Sequence, residues 1–169
     1  LLGNLTMKDH YRPPFGFKNR HIATLFPFLF RKVGHPAYTR ERIVTTDQDF
    51  LDLDWVKKGH RRLIILSHGL EANSQAVYIR GMIQALAKEN VDFLAWNCRG
   101  CSGEINQKPY DYHSGMSCDL ATIIEHVTRR FDYETIDLVG FSMGGNITLK
   151  YLGEQGAKIS PLIKKAVAI

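Results

Sequence analysis

Three strand-length apolar runs, RRLIILSHG (61–69), VDFLAWNCRG (91–100) and ETIDLVGF (134–141), end at or near a glycine, and each is followed by a stretch of helical character. This alternation constrains the fold more than any other feature of the chain. Runs that are apolar on successive residues, rather than on every second one, belong to strands covered on both faces. The stretches between them carry apolar stripes: Val77, Ile79, Met82, Ile83, Leu86 and Ala87 within 75–90, and Leu120, Ile123, Ile124 and Val127 within 114–131. A third helix is predicted over 143–153, and a fourth strand opens at KKAVAI (164–169). Right-handed helical crossovers between parallel strands follow, so the fold class is α/β: a mostly parallel sheet with helices on both faces.

Upstream, ERIVTTDQDFLDLDWVKK (41–58) alternates apolar and polar residues about Asp47-Gln48-Asp49. It reads as an antiparallel hairpin with Ile43, Phe50, Leu51, Leu53 and Trp55 as its apolar side chains. Residues 11–33 are interrupted by proline and rich in phenylalanine, the pattern of an irregular arm with one short helix packed on a core. No repeat or low-complexity linker marks a boundary. Residues 1–40 are read as the arm and 41–169 as the amino-terminal part of one domain.

The balance of 44% hydrophobic and 23% charged residues in 169 supports one sizeable core. The formal net charge of +5 is spread among acids rather than gathered in a run, which argues against nucleic acid as a partner. The densest basic patch, Lys57-Lys58-Gly59-His60-Arg61-Arg62, reads as a solvated turn; an anionic membrane surface is its second reading, and nothing else in the sequence indicates one. Cys98, Cys101 and Cys118 lack the spacing of a zinc site, so no metal is expected. Cys98 and Cys101 match C-x-x-C formally but lie in a glycine-rich turn without the helix start of a redox pair. Reduced thiols and the lack of a basic, apolar leader point to a cytoplasmic setting, with residues 1–6 read as upstream of a start at Met7.

In such a sheet, functional groups gather in the loops at the carboxyl ends of the strands, here 67–74, 97–111 and 140–145. Gly140-Phe141-Ser142-Met143-Gly144 fits G-x-S-x-G between a predicted strand and a predicted helix. A turn that tight holds the serine in a strained backbone and lifts its hydroxyl clear of the sheet, at a helix amino terminus that favours a developing anion. Ser142 is the candidate nucleophile. The amide of Met143 is one candidate oxyanion donor, and the amide of Leu70, after the His68-Gly69 turn, is the other.

Five segments, NRHIAT, HGLEANS with Tyr78 behind it, NCRGCSGEIN, YHSG followed by Asp119, and GFSMGGNITLKYLGE, together resemble the α/β-hydrolase family, in its branch of YheT-type and EMB8-like proteins. The resemblance implies ester hydrolysis by a Ser-Asp-His triad on small acyl esters or lipids, without cofactor. It also implies a chain about twice this length, with the acid and the histidine after later strands. Beyond Ser142 the only acid is Glu154, and no histidine follows.

Among the histidines upstream, His68 reads as a structural group of the oxyanion loop and His113 as a group fixing its own loop. His21 belongs to the arm, and His10, His35, His60 and His126 read as solvated. His68, Gly69, Arg99 and His113 are the candidate pocket residues. The expectation is therefore the amino-terminal half of a serine ester hydrolase, ending inside a strand, with triad acid and base outside the chain. Acyl transfer to an alcohol and a non-catalytic, hydrolase-like module are the competing readings.

Overall fold

The computed structural model describes residues 12–109 and 112–169, apart from the side chain of Phe28. The readings made for residues 1–6 and for His10 lie outside the described residues. Residues up to Lys32 and those from Val33 onward form two compact units. In the first, α1 (Arg20–Phe30) starts at Asn19, whose side chain accepts from the amides of His21 (2.9 Å) and Ile22 (3.4 Å).

The second unit is built on one six-stranded sheet of β1 (Thr39–Val44), β2 (Phe50–Val56), β3 (Arg62–Ser67), β4 (Asp92–Trp96), β5 (Thr135–Gly140) and β6 (Ile163–Ala168). Their order is β1-β2-β4-β3-β5-β6. Strands β3 to β6 run parallel, and β1 and β2 form the antiparallel hairpin, β2 also pairing antiparallel with β4.

Successive residues of a strand face opposite sides, and this divides the core in two. Leu63, Ile65, Leu94, Ile136 and Leu138 pack under α3 (Ser117–Arg130) and α4 (Met143–Gln155). Ile64, Leu66, Phe93, Ala95 and Val139 pack under α2 (Val77–Ala85). Helices thus cover both faces, and the α3 stripe of Leu120, Ile123, Ile124 and Val127 is buried as predicted.

Two elements depart from the sequence pattern. Helix α2 ends at Ala85, because the chain must turn and reach β4 by Asp92; Ile79 and Ile83 are buried, but Val77 and Ala87 are exposed. Strand β2 is buried on both faces: Leu51, Leu53 and Trp55 join the core on one, and Arg40, Arg42, Ser74 and Asn97 cover the other. Its Asp52 and Asp54 are therefore almost inaccessible, and two-pronged ion pairs with Arg42 (2.7 and 2.8 Å) and Arg40 (2.8 Å, both arms) compensate for their burial.

Candidate active site

Ser142 lies between the end of β5 and the start of α4 with φ +52° and ψ −117°. A side chain in such a region costs about 1–3 kcal/mol and persists only where its surroundings enforce it. Here they do. The Phe141 amide donates to the Ser67 carbonyl (2.9 Å), Ser142 to Ile169 (2.6 Å) and Gly144 to Phe141 (2.8 Å).

The two flanking glycines are required by contact. A Cβ on Gly140 would stand 2.6 Å from the Gly145 Cα, and one on Gly144 would stand 2.5 Å from the His68 carbonyl oxygen. Neither approach is tolerable, since backbone occupies both places. The turn leaves Ser142 exposed, with no described residue hydrogen-bonded to its hydroxyl.

The loop after β3 lies directly against this serine: a Cβ on Gly69 would be 3.3 Å from the Cβ of Ser142. Ser67 ties the neighbouring strands together, accepting at its hydroxyl from the Trp96 indole (2.8 Å) and at its carbonyl from Phe141. Leu70 is two-thirds exposed and Met143 half-buried; neither amide is engaged with another described residue. The Met143 amide is thus an unengaged donor in the first turn of α4, and the Leu70 amide an unengaged donor in the residue after Gly69.

A family model for the alpha/beta hydrolase fold matches residues 62–169. The chain belongs to the α/β-hydrolase fold family. It is 32% identical over 148 residues to YheT of Escherichia coli, covering 85% of this chain and 44% of that protein. To the phospholipase ABHD3 of Homo sapiens it is 31% identical over 168 residues, 94% of this chain and 41% of the relative. It therefore spans less than half the length of either. The solved esterase Pf2001 of Pyrococcus furiosus shares the fold at a TM-score of 0.62 and 25% identity, over 73% of this chain and 51% of that one.

Within this α/β-hydrolase chain, His68 is fully buried. Its Nε2 accepts from the Cys98 amide (3.0 Å), so the proton resides on Nδ1, which donates to the Gly69 carbonyl (2.7 Å). Burial lowers its pKa, an effect only partly opposed by the Gly69 bond, and the ring is neutral with both nitrogens occupied. It holds the loop and has no free lone pair for a proton from Ser142.

His113 is exposed and accepts the Gly115 amide on Nδ1 (3.1 Å). Its loop reaches α4, where the Asn146 side chain donates to the Ser114 carbonyl (2.8 Å). Arg99 is buried and committed to carboxylates: both arms meet Asp119 (2.9 and 2.8 Å) and Asp47 (2.6 and 3.2 Å), with Asp49 at 3.7 Å. Its position borders a hollow lined also by Glu71, Ala72, Asn73, Cys101 and Tyr112.

Glu154 lies twelve residues beyond Ser142, roughly 18 Å along α4 at helical rise, and is occupied by Lys150 and Ser117. Those bonds hold its carboxyl below the usual range.

Among the described residues, no group of three or more His, Cys, Asp or Glu is placed to hold a metal ion, and no helix is long and apolar enough to cross a membrane. Sequence reasoning assigned no role to two tyrosines. The hydroxyl of Tyr78 accepts the Gly69 amide (2.9 Å) and that of Tyr112 the Glu71 amide (2.7 Å). Both segments stood out in the sequence, but no local pattern reports which distant amide a phenol will reach.

Proposed function

We propose that this chain carries the nucleophile and oxyanion-binding half of a serine hydrolase acting on carboxylic or lipid esters. The observation that supports this reading is the exposed Ser142, held at positive φ against the Gly69 turn, with the amides of Leu70 and Met143 unengaged by any described residue. Ser142 Oγ attacks the ester carbonyl, and the oxygen that gains negative charge is received by the two amides. The alcohol leaves, an acyl-serine remains, and water releases the acid in a second addition. A histidine outside these residues takes the serine proton and returns it to the leaving alcohol, oriented by an acid that is likewise outside. The phospholipase name of one relative favours a lipid ester as substrate.

Labelling by an alkyl fluorophosphonate tests the reading. The full-length product of the gene is expected to react stoichiometrically, and Ser142→Ala to abolish the reaction. The absence of any described partner for the Ser142 hydroxyl favours a second reading, a non-catalytic module. An unlabelled full-length product selects it.

A further inference from the structure

We propose that Tyr78 and Tyr112 are positioning residues that bracket the Leu70 amide, each accepting the N–H of one neighbour so that the middle N–H alone faces the carbonyl of the substrate. The inference rests on the serine reading above and adds to it two residues on which the geometry of the oxyanion site depends.

Gly69, Leu70 and Glu71 are consecutive, and their amides have different fates. Gly69 is buried and donates to the Tyr78 hydroxyl at 2.9 Å. Glu71 donates to the Tyr112 hydroxyl at 2.7 Å. Leu70, between them, donates to no described residue. The two acceptors come from different elements, Tyr78 from the first turn of α2 and Tyr112 from the segment leading to α3, so the loop is gripped from two sides.

Glu71 has φ +53°, a value that costs a non-glycine residue energy and turns successive amides in different directions. With its neighbours fixed, the Leu70 amide has little freedom to rotate. The Tyr78 ring also packs on Phe141 (centroids 4.8 Å apart), the residue before Ser142. One side chain thus touches both the donor loop and the serine turn. Tyr112 keeps its proton throughout the neutral range, since burial and its bond to Cys101 push its pKa up to about 12.

A purely structural role would also satisfy two amides, so the test must separate stability from transition-state geometry. Tyr78→Phe preserves the ring against Phe141 and removes only the oxygen; Tyr112→Phe does the same on the other side. In the full-length gene product, kcat and KM for a short-chain p-nitrophenyl ester are measured beside the thermal midpoint. Each variant is expected to lower kcat by about tenfold to a hundredfold with KM within about twofold, because a misdirected donor is felt mainly in the transition state. The double variant is expected to lose less than the product of the two single losses, since both act through one amide.

Tyr133→Phe serves as control. Its hydroxyl bonds Asp92 at the opposite end of the sheet (3.1 Å), so it is expected to lower the midpoint and leave kcat unchanged. Active wild type with kcat within about twofold in both single variants overturns the bracket and leaves the serine reading standing. A wild type that neither hydrolyses the ester nor takes up fluorophosphonate at Ser142 overturns both.

Discussion

Ser142 occupies a backbone conformation that glycine would adopt without steric cost. Ser142→Gly is therefore expected to stabilise the protein by about 1 kcal/mol, the relieved strain exceeding the entropy that glycine adds to the unfolded chain. Urea denaturation checks the gain, and fluorophosphonate labelling checks that reactivity is lost with it. A neutral or destabilising result would show that the turn bears no strain worth relieving. The flanking glycines obey a different constraint, for at Gly140 and Gly144 neighbouring backbone already fills the space of a side chain.

At the scale of elements, Arg99 joins the hairpin turn to the amino terminus of α3 through Asp47, Asp49 and Asp119. Removing the arginine leaves Asp49 and Asp119 buried without their cation, so Arg99→Met is expected to cost about 3–5 kcal/mol in chemical denaturation. The same cluster predicts an acid limb. Hydrogen bonds from Arg99 and Thr45 hold the Asp47 carboxyl down at about 2, against 3.8 for the free group. A depressed carboxyl contributes its stability in full above the unfolded pKa, so that share is retained above about pH 4 and is lost as pH falls through about 2. In Arg99→Met the Asp47 contribution to this loss should largely vanish; an unchanged limb in urea titrations between pH 5 and 2 would count against the assignment.

These contacts also mark the limit of what the sequence discloses. The α3 stripe and the parallel strands were legible because period and strand length are local properties, and the turn at Ser142 was legible because its glycines are adjacent to it. The double burial of β2 was not, since alternation predicts one solvated face, and the groups that cover it, Arg40, Arg42, Ser74 and Asn97, come from other segments of the chain. Nor was the commitment of Arg99, whose partners Asp47 and Asp119 stand 52 and 20 residues away.

For the molecule as a whole, the sheet is tied together at Ser67, where β3 meets both of its neighbours and its carbonyl receives the amide that precedes the serine. Deuterium should therefore enter Phe141 as slowly as the innermost strands, which would set the exposed Ser142, at the solvent boundary, upon the most slowly opening part of the protein.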